Sequence, residues 1–389
     1  MSQLLQRKQI VLALFVYALI TISANFQHPI TPAFLNNIGL ERSLYGFLFA
    51  FMALGLSLAA PISGRLTDSV GTRWLLVAGL SSYGMFQVIF GSVTNIVFLV
   101  LARFGAGLSV AFVFPIMISY VVKITNKKER SVALAMLTAS QLLFVSVGYF
   151  IGGQLDRFFL PQTIFYLQGA ALVSVAMISL VLPNVKVVVD RTLSLQFAKV
   201  PKHGLYMIAM FFLISAVTMT VVRYFDVYFI DLGYSAAQLG QYVLITGVLS
   251  VVTNLIILPY LLKRATDIRL LQFVVFMISV TLFFTFGGLQ PFIVALFTTH
   301  LLFNMVRSMY DPLHNNYISR LSDYQGQVIG MSESAKMMGM FLGPILGGYI
   351  YAVSPEALFL TAASIGAVAF VLSLRIGHQK TLRPSKQKL

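Results

Sequence analysis

Ionisable side chains inside long apolar stretches are the residues of this chain that could do chemistry. Most of the 12 acidic residues lie between such stretches, whereas Asp226 lies well within one, three residues after Arg223. A carboxyl group sheltered from water can take up and release a proton, and an ionisable group in an apolar segment is a functional candidate by default. We predict that Asp226 carries protons. A static ion pair with Arg223 on the same helix face is the alternative.

Further ionisable groups lie in other apolar stretches. Arg103 is expensive to bury, so we expect it to face a polar interior or to extend to the membrane surface. Arg307 and Asp311 are four residues apart and share a helix face, where Asp311 either takes part in proton coupling or neutralises the arginine. Histidine ordinarily titrates near neutral pH, which leaves proton shuttling and simple packing open for both His28 and His300.

Polar side chains within the apolar stretches are the candidate contacts for a substrate. They are Asn25, Gln141, Tyr228, Asn254, Asn304 and Arg307. The chain also contains 33 Phe, 17 Tyr and 16 Met residues. A cavity lined by such side chains and one acid suits amphipathic, often cationic compounds. A cavity rich in Arg, Asn and His would suit a polar metabolite instead.

Membrane helices must position these residues, because the chain is too apolar for water. Hydrophobic residues make up 58% of it and charged residues 10%, against roughly 25% charged residues in a soluble domain. The runs are long and do not alternate as barrel strands do. We predict an all-α polytopic membrane protein with twelve spans of about 20 residues or more. The spans are placed at residues 10–35, 44–67, 73–92, 95–123, 130–155, 161–183, 204–231, 236–262, 268–288, 291–319, 327–352 and 355–376.

An internal repeat divides the spans into two sets of six. Residues 148–153 read GYFIGG and residues 343–348 read GPILGG, 195 positions later, and Gly39 and Gly46 recur 194 positions later as Gly233 and Gly240. We expect two six-helix bundles related by pseudo-two-fold symmetry, with the working site where they meet. The predicted divisions are an N-terminal bundle at 1–183, a linker at 184–203, a C-terminal bundle at 204–376 and a basic tail at 377–389. Small residues predicted to let helices approach closely are Gly148, Gly152, Gly153, Gly343, Pro344, Gly347 and Gly348.

The net charge of +15 does not indicate nucleic acid. The basic residues lie in connecting segments, mostly on the side of both termini, and this asymmetry predicts that the termini and the linker are cytoplasmic in a cell membrane. The chain has no cysteine, and no nucleophile–base pair, metal-ligand cluster or nucleotide-binding loop stands out. We expect a monomer that is no enzyme, needs no cofactor and is not driven by ATP.

The segment from Gly64 to Arg73 resembles the signature loop of the major facilitator superfamily. Its glycines, Gly64 and Gly71, allow a tight turn, while Asp68 and Arg73 supply the charges of the motif. The resemblance implies that this loop latches the cytoplasmic gate. A plain charged turn is the alternative.

Other motifs resemble the drug–proton antiporter branch of that superfamily. Arg103 with Gly107 is similar to the arginine–glycine signature of its fourth helix, which implies a role in proton transfer. Residues 148–153 resemble the fifth-helix signature, except that Tyr149 replaces a proline. The run from His28 to Pro32 looks like the end of the first helix, with two prolines three apart.

The resemblance implies an alternating-access exporter of lipophilic or cationic small molecules that uses a proton gradient. Asp226 lies where similar antiporters place an essential acid, whereas related pumps often have an acid at the position of Asn304. Transport of a sugar, an amino acid or another polar metabolite is the first alternative. A lipid flippase or a nontransporting receptor is the second.

Overall fold

A computed structural model describes residues 3–41, 43–126, 129–186, 202–318 and 325–376. This part of the chain is helical and contains no strand. The helices are α1 (Gln3–Asn25), α2 (Thr31–Asn37), α3 (Leu44–Ser69), α4 (Thr72–Ser92), α5 (Ile96–Val110), α6 (Phe114–Ile124), α7 (Arg130–Leu155), α8 (Pro161–Ser179), α9 (Lys202–Asp231), α10 (Ala236–Val252), α11 (Leu258–Leu262), α12 (Asp267–Phe286), α13 (Phe292–Ala295), α14 (Leu301–Ile318), α15 (Gln325–Val353) and α16 (Pro355–Leu374).

These helices form the predicted membrane-spanning architecture. Eleven segments of the described chain are long and apolar enough to cross a membrane. The 29-residue helix α15 is a further helix of sufficient length, at the place of the eleventh predicted span. The all-helical, multi-pass prediction is therefore confirmed.

Two predicted spans are broken where proline removes a backbone donor. The first ends at Asn25, and α2 begins at Thr31 with Pro32 in its first turn. The fourth is interrupted at residues 111–113, before Pro115 in the first turn of α6. The prediction of continuous spans at 10–35 and 95–123 is therefore wrong at these two points, and the first break leaves residues 26–30 as a turn inside the bundle.

The glycine repeat produces a repeated packing contact. A Cβ added to Gly148 would lie 2.6 Å from the carbonyl oxygen of Ile22, and one added to Gly343 would lie 2.6 Å from that of Ala216. Ile22 and Ala216 are themselves 194 positions apart. The same backbone approach thus joins α7 to α1 and α15 to α9, as expected for two similar bundles.

The two halves pack against each other at the end of the bundle opposite the linker. A Cβ on Gly153 would clash with the carbonyl oxygen of Ala236, and one on Gly348 would lie 2.7 Å from that of Ser43. Both contacts cross between halves, α7 to α10 and α15 to the start of α3. These close approaches leave no room for side chains, so the halves are tightly packed at this end.

Toward the linker end, facing residues of the two halves become exposed. The rings of Phe51 in α3 and Phe341 in α15 are 6.1 Å apart, edge to face. Leu58 follows on the same face of α3 and is 55% exposed, and Met338, one turn before Phe341, is 51% exposed. The halves are therefore joined at one end and accessible at the other.

Candidate transport site

Asp226 lies in α9 at the boundary between the halves and is almost fully buried, with 2% of its surface exposed. Its Oδ2 accepts hydrogen bonds from the hydroxyls of Tyr45 and Tyr149, each at 3.1 Å. Tyr45 lies in α3 and Tyr149 in α7, so both donors belong to the opposite half. No hydrogen bond reaches Oδ1 within the described residues. That oxygen is the one left for a proton or a ligand.

Arg223 shares the surroundings of Asp226 but does not pair with it directly. Within the described residues no ion pair under 4.0 Å joins the two side chains. Arg223 Nη1 instead donates to Tyr149 Oη at 3.2 Å and lies 3.0 Å from His28 Nδ1. The Tyr149 hydroxyl thus stands between the cation and the carboxylate, in place of the direct pair that the spacing suggested.

Arg103 is completely buried inside the first half, so it does not extend to the membrane surface. Its Nη2 donates to Gln27 Oε1 at 2.7 Å, and its guanidinium lies 3.9 Å from the centre of the Phe90 ring. Gln27 and His28 are both in the turn between α1 and α2, and Gln27 Nε2 is 3.3 Å from His28 Nδ1. Because the first span is broken at this turn, these polar groups lie inside the bundle.

These contacts form one continuous series of polar side chains from the first half to the second. We call it the polar chain, and in order it comprises Arg103, Gln27, His28, Arg223, Tyr149, Asp226 and Tyr45. It contains two of the predicted proton-coupling residues. Arg103 is its first member, and Asp226 comes just before the last.

A cavity of about 210 Å³ lies beside the polar chain, mostly within the second half. Four predicted functional residues line it: Asn25, Asp226, Asn304 and Arg307. The other lining residues are Val145, Tyr149, Val222, Arg223, Phe225, Tyr242, Val243, Thr246, His300 and Phe303. Aromatic and aliphatic walls with a few polar groups are typical of a small-molecule site.

The wall formed by α14 and the π-helical turn at residues 296–300 carries its own hydrogen-bond network. His300 Nδ1 is 2.6 Å from Tyr242 Oη, and Asn304 Nδ2 donates to the His300 carbonyl oxygen at 2.9 Å. Arg307 Nη2 is 3.4 Å from Asn304 Oδ1, and its buried Nε makes no hydrogen bond in the described part of the chain. Arg307 thus keeps donor capacity beside the cavity.

Other predicted site residues lie away from this cavity. Tyr228 packs among aromatic rings, including that of Phe359 at 5.3 Å. Asn254 donates to Ser308 Oγ at 2.8 Å and so joins α14 to the π-helical turn at Thr253–Ile257. Gln141 is exposed on α7.

Asp311 forms an ion pair with Lys336, at 2.6 Å, and not with Arg307. This contact joins α14 to α15 within the second half. Asp311 is not among the lining residues of the cavity. Its geometry favours a structural or gating contact over proton carriage.

The residues that sequence reasoning missed are the two tyrosines on Asp226 and the aromatic wall of the cavity. Tyr149 carried a signal, since it replaces the proline of a motif that the chain otherwise matches. Tyr45, Tyr242 and Phe225 carried none, because tyrosine and phenylalanine are abundant throughout the chain.

The predicted gate loop makes a tight turn after α3. Gly71 has φ = +95°, which favours glycine. Arg73 N donates to Asn184 Oδ1 at 3.2 Å, and Thr72 N donates to the Val185 carbonyl oxygen at 3.2 Å. The turn is thus attached to the segment that follows α8. Gly64 and Asp68 lie inside α3 and not in the turn, so of the two glycines only Gly71 makes the predicted tight turn. The side chain of Asp68 lies outside what the structure describes.

The chain is similar to known proteins over most of its length. A family model described as Major Facilitator Superfamily matches residues 13–337. The chain is 25% identical over 364 residues to Multidrug resistance protein 2 of Bacillus subtilis, covering 89% of both chains. It is 22% identical over 383 residues to Quinolone resistance protein NorA of Staphylococcus aureus, covering 94% of this chain and 96% of that protein.

Solved structures agree in fold. A D-xylose–proton symporter superposes with a TM-score of 0.77 at 13% identity, covering 96% of this chain and 98% of that one. The nucleoside transporter NupG gives a TM-score of 0.75 at 12% identity, covering 95% and 99%. The family model and the curated relatives agree with the expectation of a membrane transporter and not an enzyme. The superposed structures share the two-bundle fold, and because the family model covers most of its length, the chain belongs to the Major Facilitator Superfamily.

Proposed function

We propose that this protein is a proton-coupled antiporter that exports lipophilic small molecules, including cationic ones, by alternating access. The observation that supports this best is the position of Asp226. It is a buried carboxyl group at the boundary of the halves, it lines the cavity, and one of its oxygens is free of hydrogen bonds within the described residues. Relatives named for multidrug and quinolone resistance support export of diverse compounds.

Competition between a proton and the substrate at Asp226 would couple proton movement to substrate movement. A proton neutralises the carboxylate, whereas a cationic or polar substrate group in the cavity interacts with its ionised form. The two ligands therefore oppose each other, so a proton entering from outside would favour release of substrate there. Each charge that crosses the membrane contributes about 2.3 kcal/mol per 100 mV, which is enough to concentrate a substrate.

The remaining assignments follow from this cycle. We propose that the protein lies in the cell membrane with both termini cytoplasmic, so the linker end opens to the cytoplasm in this arrangement. Gly64, Asp68, Gly71 and Arg73 would latch that end when it closes. The glycines of α7 and α15 would keep the halves closely packed at the other end.

Replacement of Asp226 tests the proposal. Asp226→Asn keeps the shape of the side chain but removes its proton exchange, so we expect loss of dye uptake into inverted vesicles under an imposed pH gradient. Binding of an uncharged dye, which does not depend on the charge of Asp226, and the elution volume of the purified protein should be retained, which separates coupling from folding. Unchanged gradient-driven uptake in the variant would remove Asp226 from the mechanism.

Transport of a polar anion is the second candidate, because Arg223, Arg307, His300 and Asn304 share the cavity with only one acid among the lining residues. An anion would bind better when Asp226 is protonated, so substrate and proton would move together. The direction of coupling separates the two candidates. In an antiporter an imposed gradient drives substrate toward the acidic compartment, and in a symporter toward the alkaline one.

A further inference from the structure

Asp226 is attached to the opposite half of the protein through one oxygen. Its Oδ2 accepts from Tyr45 on α3 and from Tyr149 on α7, at 3.1 Å in both cases. Hydrogen bonds to an ionised acceptor are roughly twice as strong as those between neutral groups. The ionised carboxylate therefore holds the halves together more strongly than the protonated acid does.

Contacts to both its hydroxyl and its ring hold Tyr149 in place. Its hydroxyl donates to Asp226 and accepts from Arg223 Nη1 at 3.2 Å. Its ring stacks on that of His28 with 5.1 Å between the centres. The proline that a related motif would place here has no hydroxyl, so this bridge depends on the departure from the motif.

Tyr45 has a second acceptor within reach. Its hydroxyl lies 3.1 Å from Asp226 Oδ2 and 3.3 Å from the carbonyl oxygen of His28. When the carboxylate is neutralised, the hydroxyl proton can turn to that carbonyl group, which belongs to its own half. Release of Asp226 therefore does not leave the buried Tyr45 hydroxyl without a partner.

The titratable and charged groups around Asp226 come from several elements. Arg223 lies on its own helix, the two tyrosines lie on α3 and α7, and His28 lies in the turn after α1. His300 and Arg307 share the cavity from the side of α14. Within the described residues none of these groups forms a direct ion pair with Asp226 under 4.0 Å. The two phenolic hydroxyls are its direct hydrogen-bond partners there.

We propose that Tyr45 and Tyr149 form a phenolic clamp that keeps the empty, ionised carrier in the arrangement seen here. The halves then rearrange only after a proton or a substrate occupies Asp226. An antiporter needs this property, because an empty carrier that changes state lets substrate leak back without proton movement. The inference rests on the proposed proton coupling and names two positioning residues for it.

The hydroxyl-deletion variants Tyr45→Phe and Tyr149→Phe test the clamp in reconstituted liposomes. Two rates are measured for each: substrate exchange at equal pH and accumulation driven by a pH gradient. We expect exchange to persist while the ratio of accumulation to exchange falls about tenfold, the effect of losing one hydrogen bond to a charged group. A structural defect alone would lower both rates together. If Tyr149→Phe does not fold, Tyr45→Phe carries the test.

Tyr120→Phe is the matched control. Tyr120 is buried in the first half, and its hydroxyl makes no hydrogen bond in the described part of the chain. Removal of that hydroxyl should leave both rates unchanged.

A distance measurement shows directly which arrangement of the two halves is populated. The chain has no cysteine, so a cysteine pair at Leu58 and Met338, exposed positions on opposite halves, can be spin-labelled directly. We expect one distance without substrate at high pH and a second population at low pH, whereas Tyr149→Phe should populate both at high pH. Wild-type distances and an unchanged accumulation ratio in both variants would overturn the clamp. Absence of gradient-driven transport in the wild-type protein would instead overturn the proposed function.

Discussion

His28 Nδ1 and Arg223 Nη1 lie 3.0 Å apart across the boundary of the halves, and the two residues are 195 positions apart in the chain. The same offset separates the two glycine-rich segments 148–153 and 343–348. Equivalent positions in two halves related by a pseudo-two-fold axis can touch only close to that axis. The polar chain thus crosses between halves near the axis, and Asp226, one helical turn after Arg223, lies beside it.

Arg103→Lys should impair both stability and transport. The guanidinium donates to Gln27 and Gln87 and lies against Phe90, and an ammonium group cannot reproduce this planar set of contacts. We expect the free energy of unfolding to fall by about 1–3 kcal/mol, the cost of leaving buried polar groups unpaired. Thermal unfolding in detergent and gradient-driven transport measure the two effects.

Arg264→Lys is the control for that change, since Arg264 is exposed and lies 4.5 Å from the centre of the Tyr260 ring. It should alter neither quantity. A fully stable and active Arg103→Lys protein would show that the polar chain needs only a positive charge at this position.

Gly152→Ala should destabilise the protein more than the same change at a glycine with more room around it. The new Cβ would meet the carbonyl oxygen of Phe26, a backbone atom that cannot move without shifting α1 or the turn after it. Overpacking of this kind costs about 1–3 kcal/mol. At Gly366 the nearest atom to an added Cβ is Ser279 Cβ at 3.3 Å, a much smaller overlap, so Gly366→Ala should lower the melting temperature less. Equal melting temperatures for the two variants would contradict the close approach of α7 to α1.

The sequence predicted the helices and the packing well because both follow from short-range patterns. The length of an apolar run predicts a membrane span. The repeated glycines at 148 and 343 mark the same close approach of two helix backbones in each half. The buried acid was also predictable, since a lone carboxyl group in an apolar run is rare. These features required no knowledge of which residues meet across the bundle.

The partners of that acid were not predictable in the same way. Tyr45 and Tyr149 are 104 positions apart in the chain and reach Asp226 only because α3 and α7 converge on α9. Asn254 and Tyr228 were chosen as polar residues within spans, but a span has several faces and composition does not tell which one meets the cavity. Only the packing of the halves decides that.

Asp311→Asn should leave proton-driven transport in place, in contrast to Asp226→Asn. Asp311 pairs with Lys336 at 2.6 Å and does not line the cavity, so its charge stabilises the contact of α14 with α15. We expect a lower melting temperature and a slower rate, with the same pH dependence. The charge-swapped double variant Asp311→Lys/Lys336→Asp should recover part of the stability. A shifted pH profile in Asp311→Asn would return this residue to the proton pathway.

Arg307→Gln should change which compounds the cavity accepts. The guanidinium lines the cavity, its Nε makes no hydrogen bond in the described residues, and no acid there pairs with it within 4.0 Å. Removal of this positive charge lowers repulsion of cationic substrates and removes a donor for anionic ones. We expect the ratio of transport rates for a cationic dye over an anionic dye of similar size to rise by about tenfold, the effect of one charge at close range. Arg264→Gln makes the same change of net charge on the exposed surface and should leave the ratio unaltered. An equal shift in both variants would mean that the overall charge of the protein, and not the cavity, sets the preference.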